Sequence, residues 1–477
     1  MCRKLRSRYS PFVFLLIFLS CGCSTPEPEP AVEPVLPNLI WIMADDLGYG
    51  DLGSYGQELI ETPNLDKMAE DGMRFTQFYA GSTVCAPSRC SLMTGLHTGH
   101  CYVRGNYEIK PMGQVPLMPD TITLASQLKA AGYSTALIGK WGLGGPDSTG
   151  IPNRQGFDYF FGYLCQRHAH NYYPEYLFRN EQTVPLDGNV LPEPKRLDGA
   201  GYAIEKAQYS HDLFAAEALQ YIEKKKNEPF FLYLSMTIPH ANNEAGQEGM
   251  EVPELGEYKE KDWPAPEKGK AAMISRMDKD VGKILAKLKE LDLDQNTLVI
   301  FTSDNGSHRE GGANPDFFNS NGELRGIKRD LYEGGIRVPM IAWWPGQISA
   351  GTTNDHISAF WDYLPTFSEL SEAPQPRTTD GISILATLRG DNANQKTHEF
   401  LYWEFHERGS KQAVRMGDWK GVRLSPEGNL ELYNLKEDIS EASDVAAQHP
   451  DIVQKITTYM KETRWESQFW PLAAKAN

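Results

Sequence analysis

Four apolar runs in this chain each end on polar residues, and that pattern limits the folds open to it. Asn38-Leu39-Ile40-Trp41-Ile42-Met43 runs into Ala44-Asp45-Asp46. Ser134-Thr135-Ala136-Leu137-Ile138 runs into Gly139-Lys140-Trp141, and Phe230 to Met236 into Thr237-Ile238-Pro239-His240. Thr297 to Thr302 runs into Ser303-Asp304-Asn305-Gly306. Short runs of this kind read as buried strands. Helical patterns fall between them, near residues 64–71, 121–131, 210–225 and 271–291. The alternation predicts an α/β fold with a mostly parallel sheet flanked by helices. In such sheets ligands gather beyond the carboxyl ends of the strands, where these polar residues lie. Val338 to Trp343 predicts a further strand. After residue 372 the texture changes: Ala413 to Arg423 and Leu430 to Leu435 read as short strands, with a helix near 452–463. The expected organisation is an α/β domain over 37–371 and a smaller C-terminal α+β subdomain over 372–477.

The N-terminus reads as a targeting segment. Arg3, Lys4, Arg6 and Arg8 precede the apolar run Pro11 to Leu19, which is too short to span a bilayer comfortably. Ser20-Cys21-Gly22-Cys23-Ser24 follows and resembles a bacterial lipoprotein signal, with either Cys21 or Cys23 as the acylated residue; an ordinary cleaved secretory signal is the alternative. Residues 1–23 are thus a signal peptide, and 24–36 a Pro/Glu tether that cannot bury a core. The expected location is the periplasm or cell surface of a Gram-negative-type bacterium, with the lipid anchor as the one membrane contact. The formal net charge is -16, and loss of the four leader cations moves it to near -20. A field of that sign excludes nucleic-acid binding through overall charge. An anionic substrate would need a local cluster of Arg and Lys. Outside the leader, Cys85, Cys90, Cys101 and Cys165 are too few for a disulfide scaffold. One pairing, Cys90 to Cys101, is open.

Asp45 and Asp46 are adjacent carboxylates at one strand end, and Asp304 and Asn305 add a third carboxylate and an amide oxygen at another. Neighbouring carboxylates repel unless a cation sits between them. A loose, all-oxygen set suits a hard cation, Ca²⁺ rather than Mg²⁺. The stretch Val84-Cys85-Ala86-Pro87-Ser88-Arg89 reads as a helix start, with Pro87 and Ser88 in its first turn. Cys85 then lies where free N–H groups favour anions, and Arg89 follows one turn later on the same face. That combination fits a tetrahedral oxyanion.

Cys85-Ala86-Pro87-Ser88-Arg89 followed by Leu92-Met93-Thr94-Gly95 resembles the signature of the type I sulfatases of the alkaline phosphatase superfamily. The resemblance runs from about Pro37 to the C-terminus. It includes Asp45-Asp46, Gly139-Lys140-Trp141, Pro239-His240, Asp304-Asn305-Gly306, Leu324 to Lys328 and Tyr332 to Pro339. It implies an alkaline-phosphatase-like fold. It also implies that Cys85 is oxidised by a formylglycine-generating maturation enzyme to Cα-formylglycine, whose hydrate attacks sulfur and later expels sulfate. Asp45, Asp46, Asp304, Asn305 and the modified Cys85 would hold Ca²⁺. Arg89, Lys140 and Lys328 would bind the sulfate oxygens, and His240 would serve the leaving oxygen.

One position departs from the family pattern. Many sulfatases carry a histidine two residues after this lysine, where the chain has Gly142; His97, His100 or His308 are candidates to replace it. His168, His170, His308, Arg104 and Asn106 are candidate substrate-binding residues. The expected partner is a sulfated oligo- or polysaccharide, a galactan or glycosaminoglycan carrying galactose or N-acetylgalactosamine sulfate. The alternatives are a phosphoesterase or phosphonate hydrolase, which the absence of histidine among the proposed metal ligands disfavours, and a non-catalytic glycan-binding lipoprotein.

Overall fold

A computed structural model of the chain describes residues 6, 8–12 and 36–473. The acylation candidates Cys21 and Cys23, and the tether up to residue 35, lie outside the described residues.

Asn38–Ala44 is the strand around which the sheet is built. It pairs in parallel with Phe230–Ser235 on one side and Thr297–Ser303 on the other. Ser134–Lys140 pairs in parallel with Phe230–Ser235, and Tyr159–Tyr163 with Ser134–Lys140. Alternate residues serve two cores. Ile40, Ile42, Leu232, Leu234, Val299 and Phe301 enter one. Leu39, Trp41, Phe231, Tyr233, Leu298 and Ile300 enter the other. Both faces are apolar, which is why these strands read as continuous runs rather than alternating ones. Ser210–Lys225 and Ala265–Glu290 cover the first face through Phe214, Ile222, Ile274 and Val281. The second face is covered by Cys85–Thr94, Leu124–Ala130 and Tyr363–Leu370, through Ala86, Leu92, Leu128 and Phe367.

Ten strands make up this sheet. Antiparallel pairs enter on both sides of this parallel centre: Met340–Trp343 runs antiparallel to Thr297–Ser303, and Tyr176–Arg179 antiparallel to Tyr159–Tyr163. Register brings Ala44 opposite Ser303, and Met43 and Gly139 both opposite Ser235. The residues that follow therefore emerge at one rim. A second, antiparallel sheet is formed by Leu401–Phe405, Lys411–Met416, Trp419–Arg423 and Leu430–Asn434, in that order. The helix Pro450–Glu462 packs on it through Ile456 and Met460.

Two local readings change. The long helix begins at Ala265, not near 271, because its first turns carry Glu267 and Lys270, which are charged yet buried. Lys270 reaches Ser320 Oγ at 2.6 Å and Asp51 at 3.3 Å. Cys90 and Cys101 do not pair as a disulfide. Both are free thiols, and Cys101 Sγ donates to Leu96 O at 3.0 Å.

Candidate active site

The helix Cys85–Thr94 is buried along its whole length and stops at Gly95, which takes the left-handed φ of +66°. Its first N–H groups face the rim of the sheet. Ala86 N donates to Asn106 Oδ1 at 3.1 Å. Cys85 Sγ lies 3.5 Å from Asp45 Oδ1. One turn along, Arg89 is fully buried. Its Nη2 bonds Asp304 Oδ2 at 2.7 Å, and its Nη1 donates to Lys140 O at 2.9 Å and to Ser235 Oγ. The helix is thereby tied to three strand ends.

Two lysines meet the adjacent carboxylates. Lys140 Nζ lies 2.6 Å from Asp45 Oδ2, and Lys328 Nζ lies 2.8 Å from Asp46 Oδ2. Lys328 also donates to His240 Nε2 at 3.1 Å and to Glu310 Oε2 at 3.2 Å. His240 Nδ1 bonds Ala241 O at 2.6 Å, so the proton of the neutral ring is on Nδ1 and the lone pair on Nε2 faces Lys328. Burial and the Lys328 charge hold the His240 pKa well below its ordinary value. Burial, then the Asp45 charge, pushes the Cys85 thiol well up, so it is protonated and a poor nucleophile as it stands.

Asp304 is pushed up to about 7 by burial and by Asp45, against the pull of Arg89. Carboxylates crowded this closely favour a cation between them. Asn305 Nδ2 donates to Asp46 Oδ1 at 2.7 Å, while Asn305 Oδ1 is buried with no partner among the described residues. An orphaned amide oxygen beside Asp45, Asp46 and Asp304 fits a hard, oxygen-loving cation. Asp45, Asp46, Cys85 and His240 bring one ligand atom each within 4.8 Å of one another. His240 Nε2 faces the Lys328 ammonium at 3.1 Å, so the carboxylates and the Asn305 amide oxygen are the donors that suit a hard cation.

A cavity of 290 Å³ opens onto Cys85, His240 and Lys328. Asn106 and His170 line it as well; His170 stacks on His240 at 4.9 Å between centroids and bonds Glu244 at 3.1 Å. The other candidates for substrate contact need correction. His168 and His170 fall in one 3-10 turn, not an extended segment, so they point apart. His168 is packed against Tyr163 and Tyr176, and its pKa is pushed down to about 3 by burial. Arg104 is buried away from the cavity, on Glu404 Oε1 at 2.7 Å. His308 lies behind His240: its Nε2 bonds Pro239 O at 3.1 Å and its Nδ1 accepts from Glu310 N at 3.0 Å. Both ring nitrogens are taken up by backbone. His97 and His100 gather around Asp380 beyond the other end of the ten-residue helix, about 15 Å along it. They cannot replace a side chain at Gly142.

Several cavity residues carried no sequence signal. Gln114, Gln166, Glu244, Arg329 and Glu407 come from separate loops. Arg329 holds a positive φ of 77° and is fixed by Glu310 at 2.6 Å and Glu407 at 3.0 Å.

A buried cysteine at a helix start, a carboxylate cluster and three buried cations meet at one rim of the sheet, an arrangement suited to a tetrahedral oxyanion. The family model described as Sulfatase matches residues 37–373, and that described as N-sulphoglucosamine sulphohydrolase, C-terminal, matches 326–467. Arylsulfatase A of Homo sapiens is 33% identical over 428 residues, 85% of this chain and 77% of that protein. N-acetylgalactosamine-6-sulfatase of Rattus norvegicus is 32% identical over 470 residues, 91% of this chain and 79% of that protein. The crystal structure of Ps i-CgsB in complex with k-i-k-neocarrahexaose is similar at a TM-score of 0.75 and 28% identity, covering 92% of this chain and 95% of that one. The chain belongs to the type I sulfatases of the alkaline phosphatase superfamily. It is a sulfuric ester hydrolase.

Proposed function

We propose that this enzyme removes sulfate from a sulfated carbohydrate, a galactose or N-acetylgalactosamine sulfate within a galactan or glycosaminoglycan, with Cys85 converted to Cα-formylglycine and with bound Ca²⁺. The observation that carries the reading is the site itself: a buried cysteine at a helix start beside Asp45, with Lys140 on Asp45, Lys328 on Asp46 and Arg89 on Asp304. The neighbour bound to a neocarrahexaose supports a sulfated galactan. So does the surface: a cavity of 750 Å³ shares Glu108 and Arg167 with the catalytic one, leaving room for further sugar units.

A formylglycine hydrate at Cys85 would supply a nucleophile able to expel its own sulfate, and a bound cation would stabilise charge on the sulfuryl oxygens. Asp45, Asp46, Asp304 and Asn305 would hold that cation. Lys140 and Lys328 present buried ammonium groups to the sulfate oxygens. Arg89, clamped by Lys140 O, Ser235 and Asp304, holds the helix start in place and adds positive charge beside the nucleophile. Lys328 donates to His240 Nε2, and this pair, on the cavity wall, can supply a proton to the leaving alcohol.

The basic leader and apolar run support export and lipid anchoring as part of the same proposal. The test is co-expression with a formylglycine-generating enzyme, mass measurement of the Cys85 peptide, and product chromatography with defined sulfated sugars. The peptide should lose one sulfur and two hydrogens and gain one oxygen. An active enzyme with an unaltered cysteine would refute the formylglycine reading, and turnover of aryl sulfates with none of any sulfated sugar would refute the substrate class.

A further inference from the structure

Gly142 and Gln166 compete for one space. Trp141 N donates to Tyr163 O at 2.9 Å and Gly142 N to Leu164 O at 3.1 Å, so the chain after Lys140 keeps running beside the chain that leads to Gln166. Gly142 takes a φ of +83°, and a Cβ built on it would lie 1.8 Å from Gln166 Nε2 and 2.7 Å from Gln166 Cδ. Any side chain at 142 would therefore evict the carboxamide. The backbone of Gln166 is pinned, its N–H donating to Gln114 Oε1 at 2.9 Å. Gln166 is 5% exposed, and neither Oε1 nor Nε2 has a hydrogen-bond partner among the described residues. It lines the same cavity as Cys85, His240 and Lys328. A buried carboxamide with both ends unpaired is costly, and a cavity wall is where a ligand would repair it.

The chemistry of the missing partner follows from the two ends. A sulfate oxygen only accepts, so it could take the Nε2–H but would leave Oε1 facing an anion. A hydroxyl both donates and accepts, and can serve the two ends of the amide together. The charges around the cavity agree. Its cationic side chains beyond Lys328 are already matched: Arg167 by Glu108 at 3.0 Å and Glu244 at 3.3 Å, Arg329 by Glu310 and Glu407. No arginine is left over for a second anion.

We propose that Gln166 recognises a free hydroxyl on the carbon next to the sulfate ester, and that the enzyme discriminates by it against sugars sulfated at both positions. Gly142 is the residue that makes this possible. The inference rests on the carbohydrate reading above.

The test uses the matured enzyme with a nitrophenyl sulfate and a panel of methyl galactoside and N-acetylgalactosaminide monosulfates. For each monosulfate turned over, the analogues deoxygenated or sulfated at the adjacent carbon are compared with it. The readout is the ratio of kcat/KM between hydroxyl-bearing and deoxy substrates, in which general damage to the enzyme cancels. Wild-type enzyme should favour the hydroxyl by about 10- to 100-fold, and the doubly sulfated analogue should be poorer still. In Gln166→Ala and Gln166→Leu the ratio should fall towards one. Gly142→Ala, with Gln166 intact but displaced, should lose the ratio too, and thermal unfolding should show all three variants folded. An undiminished ratio in Gln166→Ala would overturn the assignment while leaving the carbohydrate reading in place. Turnover of the nitrophenyl ester with none of the sugar panel would overturn both.

Discussion

Lys328 is where the structure makes the most demanding prediction. Its Nζ lies 2.8 Å from Asp46 Oδ2 and 3.2 Å from Glu310 Oε2, with the side chain 3% exposed. At an effective dielectric of about 20, those contacts are worth about 6 and 5 kcal/mol of direct attraction, most of it offset by desolvation of the charges. Lys328→Ala leaves Asp46 buried without its ammonium partner, while Glu310 keeps Arg329, so stability should fall by about 3–5 kcal/mol, most of it from Asp46. Catalysis should suffer separately. Loss of one preorganised charge on the sulfate should lower kcat/KM by about 10²- to 10³-fold. Lys328→Ala/Glu310→Gln tests the two roles together. Glu310 keeps Arg329 at 2.6 Å when Lys328 is gone, so neutralising it should restore little stability, under about 1 kcal/mol, and no catalysis. Urea unfolding and kcat/KM on an aryl sulfate, measured on the same four proteins of the cycle, decide the matter. If the double variant regained wild-type turnover, Lys328 would be a mere counter-ion to Glu310 and its role toward sulfate would be wrong.

Three further outcomes follow from the site and its supports. Cys85→Ser should lose nearly all steady-state turnover while keeping its fold, and parental rates in that variant would refute the proposed nucleophile. Calcium should raise the unfolding temperature of the wild-type enzyme and not that of Asp304→Ala, as read by calorimetry with and without a chelator; an equal shift in both would remove Asp304 from the metal shell. Glu404 is raised by burial but held well below its usual range by His406, Arg104 and Arg464. A carboxyl depressed on folding contributes stability above its unfolded value, about 4.3, and loses it as pH falls through the lower folded value. The stability gap between wild type and Glu404→Gln should therefore be largest near neutral pH and shrink below about pH 4, and a gap that widened in acid would contradict the pairing.

Strand ends were the legible part of this chain. A buried apolar run that stops on Asp45-Asp46, Lys140 or Asp304-Asn305 says where the polar residue emerges, because parallel register aligns the ends. It does not say how the following loop turns back. His168 and His170 look alike in sequence, but a 3-10 turn sends one into an aromatic pocket and the other to the cavity. Arg104 sits a short way beyond the nucleophile helix, and its destination depends on Glu404, which is 300 residues away. The start of the long helix was hidden because buried Glu267 and Lys270 look solvated in sequence. Gln166 was illegible for a different reason: its importance lies in an unmet hydrogen-bonding capacity, and no residue pattern encodes that.

The small antiparallel sheet also sets a timetable. Lys420 Nζ lies 2.9 Å from Glu333 and 3.0 Å from Glu441, all three buried, and Glu441 accepts from Glu333 N at 2.7 Å. That knot grips the chain five residues after Lys328. At the other end of the reaction centre, Cys85 is only 2% exposed within a wholly buried helix. On the proposed conversion of Cys85, the modifying enzyme would have to reach it before this helix packs. Glu333, five residues after Lys328, meets Lys420 and Glu441 only once residues near 441 are in place. The segment that carries Lys328 is thus held to the small sheet only after the strands Lys411–Met416 and Trp419–Arg423 have followed it.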